Sequence, residues 1–164
     1  MKKLLFSLVT LLSLSVFAQD TKVINDANAT QRSLNGSFTA ISVSSGIDLY
    51  LSQGNEESVA VSASDQKHLD RLKTEVVNGT LKIYYDNKGV TWKSENRKLK
   101  AYVSFKTLEK LNASAGSDVT VNGSINADKL YLQVSSGSIL KGAIQAKEIA
   151  ADISSGAGIR ISGR

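Results

Sequence analysis

Two carboxylates stand at equivalent points of a repeated phrase. Asp48 follows Ser45-Gly46-Ile47, and Asp118 follows Ala115-Gly116-Ser117. If the repeats stack, the two acids become neighbours. Carboxylates about 5–9.5 Å apart are what a glycosidase uses to protonate a leaving group and to activate a nucleophile. The same pair offers oxygens to Ca²⁺, but calcium takes six to eight. The G-G-x-G-x-D run of calcium-binding β-rolls is also missing. The commoner use of an Asp at a corner is to accept backbone N–H bonds. Trp92, with Tyr84, Tyr85 and Tyr102 in the same stretch, offers a different chemistry: aromatic faces that stack on sugar rings or anchor protein interfaces. Trp92, Asp48 and Asp118 are therefore the candidate ligand-binding residues.

Other chemistries find little support. The single histidine, His68, lies among charged residues, where a solvated surface position is expected. No G-x-S-x-G elbow marks a nucleophile for it to serve. The chain has no cysteine, which removes thiol nucleophiles and zinc–thiolate sites. No catalytic, cofactor-binding or metal-ligating residue is assigned, and an enzyme is not expected.

These residues must be positioned by the elements around the phrase. It occurs four times, as Val43-Ser-Ser-Gly46, Ala113-Ser-Ala-Gly116, Val134-Ser-Ser-Gly137 and Ile153-Ser-Ser-Gly156. The last three occurrences are 21 and then 19 residues apart. Apolar residues alternate on both sides of each, as in Leu130-x-Leu132-x-Val134 and Ile159-x-Ile161. Alternation is the period of a strand with one buried face. A period near 20 suits one coil of a β-solenoid. Each coil stacks on the next at about 4.8 Å and completes the core that one coil alone cannot close. Ser45, Gly46, Gly116, Ser136, Gly137, Ser155 and Gly156 are read as structural corner residues. Stacked corner hydroxyls would satisfy tight turns and bond from coil to coil. The expected fold is all-β: right-handed parallel β-helix or solenoid-like coils, with a helix and hairpin inserted at residues 62–107 and regular coils at 108–164.

Within the insertion, Ser64 is the expected cap of a two-turn helix over residues 65–72. Asn78-Gly79, between Thr74-Glu-Val-Val77 and Thr80-Leu-Lys-Ile-Tyr-Tyr85, predicts a tight hairpin, since both turn residues accept positive φ. Tyr84 and Tyr85 must face opposite sides, so at least one enters the core. Val90-Thr-Trp92 and residues 99–105 read as further strands.

The N-terminus carries a secretory signature: Lys2 and Lys3, an apolar run to Phe17, and small residues before an expected cleavage after Ala18. Residues 1–18 are read as a signal peptide, 19–37 as a polar tether or loose strand, and 38–164 as one domain. No later apolar stretch approaches about 18 residues, so no membrane insertion of the mature chain is expected. Loss of Lys2 and Lys3 lowers the formal charge from +5 to +3. Spread along the chain, that charge does not argue for nucleic acid. Proline, which deletes a ladder donor, is absent.

The Ser-Ser-Gly and Ser-Ala-Gly corners, their order around the Asn78-Gly79 segment and the signal sequence together resemble the bacterial family described as putative auto-transporter adhesin, head GIN domain. That family is common in Bacteroidetes-type bacteria, and the resemblance covers about residues 38–164. It implies an exported right-handed β-helix-like fold and no established enzyme activity. The chain departs from the pattern where Asp is missing after Gly137 and Gly156. It also stops at Arg164, just after the strand-like Ile159–Ile161, where further coils would be expected.

The function expected is an exported, non-enzymatic binding or structural module in the periplasm or at the cell surface, adhesin-like, with a glycan or protein as partner. Two alternatives stay open: a carbohydrate-active β-helix enzyme, in which Asp48 and Asp118 converge in a groove, and a module that self-associates through its C-terminal coil edge.

Overall fold

The computed structural model describes residues 26–90 and 96–163. Its elements run β1 (Thr30–Arg32), β2 (Ala40–Val43), β3 (Asp48–Gln53), β4 (Ser58–Ser62), α1 (Gln66–Arg71), β5 (Leu72–Val77), β6 (Thr80–Tyr85), β7 (Lys100–Phe105), β8 (Lys110–Ala113), β9 (Asp118–Val134), β10 (Ile139–Ile153) and β11 (Gly158–Ser162). All eleven strands join one mixed sheet, in the order β1-β4-β7-β3-β9-β8-β2-β6-β5, with β10 on β9 and β11 on β10.

The sheet bends because its repeats bend. β8 leads into the Ser114-Ala115-Gly116 corner, and the chain returns as the first half of β9 on β3. The second half of β9 lies on β8. β10 then follows β9 in parallel along both halves. The offset between them falls from Ile139↔Asp118 to Ile144↔Ile125, which are the two spacings of the repeat. Gly142 takes up the difference, at a register shift between Lys141 and Ala143.

Each corner consists of two successive left-handed residues. Ser45 and Gly46, Ala115 and Gly116, Ser136 and Gly137, and Ser155 and Gly156 all have φ between 52° and 75°. Glycine adopts this conformation freely, whereas serine or alanine pays for it. The corners are joined to one another through the backbone: Gly46 N–H donates to Ala115 C=O at 2.9 Å, Gly116 to Ser136 at 2.9 Å and Gly137 to Ser155 at 3.1 Å.

The sheet is mixed, with antiparallel pairings beyond the expected hairpin, which corrects the expectation that the strands outside it stack in parallel. β4 runs antiparallel to β7 and to β1, and β5 antiparallel to β6. The β5–β6 reversal is the expected Asn78-Gly79 hairpin, with φ of 49° and 72° at its two turn residues. The β1 and β4 directions have no local signal, because alternation fixes which face is buried and not the direction of the partner. β1 lies inside the stretch 19–37.

The core lines the inside of the bend. Leu49, Leu51 and Val119 project from the strands after a corner; Ile41, Val43, Leu111, Leu132 and Val134 project from those before one. Phe38, Phe105 and Leu108 are also fully enclosed. The helix is capped by Asp65, whose side chain accepts from His68 N–H at 3.1 Å, and not by Ser64. His68 is not a solvated surface residue: it is buried, with Nδ1 2.7 Å from the hydroxyl of Tyr85. Tyr85 is the buried member of the tyrosine pair, and the Arg97 guanidinium lies 4.6 Å from its ring centre. Among the described residues no helix is long and apolar enough to cross a membrane.

Candidate functional site

Asp48 opens β3 and Asp118 opens β9, because each is the second residue past a corner glycine. β3 and β9 are adjacent and parallel, so the two acids are direct register partners. Lys100 at the start of β7 is the partner of Asp48 on its other side. The three charges form a row across the outside of the sheet. One step along the strands lies a second outward row, with Tyr102, Tyr50 and Thr120 in register. The Tyr50 and Tyr102 rings stack at 5.2 Å between centres, 14° from parallel.

Asp26 closes one margin of this surface. Its Oδ2 accepts from Ser62 Oγ at 2.6 Å and from Tyr102 Oη at 2.8 Å. Those bonds, Ser62 first and Tyr102 second, hold the Asp26 carboxyl below the ordinary value. Desolvation, then the bond to Asp26 and its charge, push the Tyr102 phenol well above its own.

Asp48 moves the other way. Burial and, after it, the Asp118 charge raise its pKa, while Lys100 opposes them. Folding therefore favours the protonated acid. The cost is present above the folded-state pKa and vanishes as pH falls below the unfolded value near 3.8. Like charges directly opposite on neighbouring strands cost about 0.2–1 kcal/mol. Asp48→Asn is accordingly expected to raise stability by that amount at pH 7 and by nothing at pH 3. Thermal melts at the two pH values check this, and an equal gain at both contradicts the charge argument.

Neither carboxylate accepts a hydrogen bond from the described residues, so neither is the corner acceptor expected of it. Two serines that the sequence reading passed over do that work. Ser117 Oγ accepts from Ile47 N–H at 3.2 Å, and Ser138 Oγ from Ser117 N–H at 3.1 Å, both fully enclosed. Their signal was present, as Ser after Gly116 and after Gly137. The hydroxyls of the Ser-Ser-Gly phrases do not form the coil-to-coil bonds expected of them; backbone groups do. Tyr50, Lys100 and Asp26 were also missed: outward strand positions look alike until the neighbours are known. Trp92 lies outside the described residues.

A shallow groove of 560 Å³ runs beside the second halves of β9 and β10, lined by Gln53, Thr107, Asn126, Asp128, Gln145 and Lys147 among others. Its carboxylate, Asp128, is ion-paired to Lys147 at 2.7 Å. Asp48 and Asp118 do not line it. Among the described residues no group of three metal-ligating side chains occurs.

A family model described as "Putative auto-transporter adhesin, head GIN domain" matches residues 37–164. No curated protein matches the chain. Among solved structures, a putative adhesin from Parabacteroides merdae superposes with a TM-score of 0.70 at 15% identity, over 83% of this chain and 57% of that one. A putative adhesin from Bacteroides fragilis gives 0.63 at 14% identity, over 82% and 72%. A putative lipid binding protein from Parabacteroides distasonis gives 0.55 at 20%, over 84% and 68%. At these identities the likeness is one of fold, and this chain spans little more than half the length of the first.

Proposed function

The chain belongs to the putative auto-transporter adhesin, head GIN domain family, and on that premise we propose that it is an exported, non-enzymatic binding module that engages a cell-surface glycan or protein. The observation that carries this reading is the outer surface of β7, β3 and β9. It sets a charged row, Lys100, Asp48 and Asp118, beside the stacked Tyr50 and Tyr102. Carboxylates that accept no hydrogen bond from the described residues are offered to sugar hydroxyls or to basic side chains, and aromatic rings beside them add stacking area. In this reading the parallel strands are coils of a right-handed β-solenoid, residues 1–18 direct export, and Trp92 contributes to binding.

A carbohydrate-active enzyme would rest on the same two acids. It is the lesser reading because they do not line the groove beside β9 and β10. A glycan and protein array probed with residues 19–164, with and without Ca²⁺, tests the proposal. Saturable binding that Asp118→Asn weakens at least tenfold is the expected result. Release of shortened sugars from the probes would favour the enzyme, and binding unaffected by Asp48→Asn, Asp118→Asn and Trp92→Ala would remove the proposed site.

A further inference from the structure

The outward row that begins with the stacked tyrosines runs on across the sheet. Thr120 follows Tyr50 in register, Lys141 follows Thr120, and Arg160 follows Lys141. Neighbouring places are one strand spacing apart, about 4.8 Å. Tyr102 and Tyr50 show what this spacing does to flat groups: their rings lie 5.2 Å apart and 14° from parallel, face against face. The next place belongs to Thr120, whose side chain ends at its γ atoms and is too short to cover the far face of the Tyr50 ring. A slot one strand spacing thick therefore stands over Thr120, with an aromatic wall on one side and Lys141 on the other. Thr120 is half-buried and Lys141 exposed, so the slot opens outward.

The charges around this slot are uneven. Farther along β9 and β10, cations face acids: Lys129 pairs with Glu148 at 2.9 Å and Lys147 with Asp128 at 2.7 Å. Among the described residues Lys141 has no such match, and its register partners are Thr120 and Arg160. Like charges opposed on adjacent strands repel, and an anion beside Lys141 offsets that repulsion. Asp118 and Asn122 stand two residues either side of Thr120 on the same face of β9. A carboxylate accepts hydrogen bonds from hydroxyls, and an amide both accepts and donates. Asp118 lies along the strand from Thr120 and Lys141 across it, so acid and cation address different edges of whatever ring fills the slot.

We propose that this slot takes a hexuronate ring of an acidic polysaccharide. The ring continues the Tyr102–Tyr50 stack as its third member. Its carboxylate meets the Lys141 ammonium in a charge-assisted bond, and its hydroxyls meet Asp118, Asn122 and Thr120. A hexuronate suits the slot because its carboxylate, on C5, and its C2 and C3 hydroxyls lie on opposite edges of the ring. A neutral hexose would fill the place and leave Lys141 unmatched. An aromatic acid would meet Lys141 and bring no hydroxyls for Asp118. The inference rests on the binding surface proposed above and narrows its ligand to an anionic glycan.

Polygalacturonate and its methyl ester separate charge from shape, since esterification removes the carboxylate charge and keeps the rings. The protein should bind polygalacturonate at least tenfold more tightly than the ester at low salt, an advantage that added salt screens. Lys141→Gln should abolish this preference and leave the affinity for the ester unchanged. Thr120→Tyr fills the slot with a residue that favours strands. It should weaken binding of both polymers at least tenfold with an unchanged circular dichroism spectrum. Equal binding of the two polymers overturns the inference, as does a preference that survives Lys141→Gln. Failure to bind either polymer also overturns it. If the array then yields another ligand whose binding Asp118→Asn weakens, the binding surface stands without the hexuronate; if the array yields none, both fall.

Discussion

Alanine in place of Gly142 should cost about 3 kcal/mol, combining overpacking with a backbone conformation that side chains disfavour. Gly142 has φ of +149°, and a Cβ there would fall within contact distance of Val121 Cβ, 2.9 Å from its Cγ2 and 3.2 Å from its Cα. The crowding has a visible origin. Between paired residues, β9 spends Val121, Asn122 and Gly123 where β10 spends Gly142 alone. The shorter strand therefore cuts across Val121. Gly46→Ala is the informative comparison, because Gly46 also has positive φ (+70°) but nothing within 4 Å. Its loss should be about 1–2 kcal/mol, from the left-handed backbone alone. Urea denaturation of both variants measures the difference, and equal losses would show that contact with Val121 is not what makes Gly142 necessary.

Leu130→Ala should cost about 2–5 kcal/mol, the usual range for emptying a buried leucine site. Ile149→Ala, its register partner one layer on, should cost less than about 1 kcal/mol in a dilute solution of the protein. The chemistry of the two changes is nearly the same; cover is what differs, since Leu130 is enclosed and Ile149 is not. Thermal melts at low protein concentration check the ratio.

That pair of positions shows how far the sequence could be read. The phrase spacing, the alternation and the shortened second repeat were legible, and the register of β10 on β9 follows them residue by residue. The neighbourhood of Asp48 and Asp118 was legible for the same reason. What alternation cannot state is which strand lies beside which, or whether any strand lies there at all. Leu130 and Ile149 look alike in the sequence, and only burial separates them. The antiparallel directions of β1 and β4 were hidden because their partners lie far along the chain. His68 was misplaced because its ring turns inward to the Tyr85 hydroxyl while Asp65 caps the helix beside it, and nothing in its charged stretch of sequence signals that packing. The stacked tyrosines depended on β3 settling between β7 and β9, an order no local pattern encodes.

That order has a kinetic consequence. β2 and β3 are the first repeat to be synthesised, yet each is flanked on both sides by strands from much later in the chain. The Ile47–Ser117 bond alone spans 70 residues. Contacts of such separation must close large loops before they gain anything, which slows folding toward the millisecond-to-second range of non-local β proteins. The first repeat must therefore wait for β6 and β7 on one side and for β8 and β9 on the other. Folding of this chain should behave as one late event, with little stable structure before residues 110–122 are available.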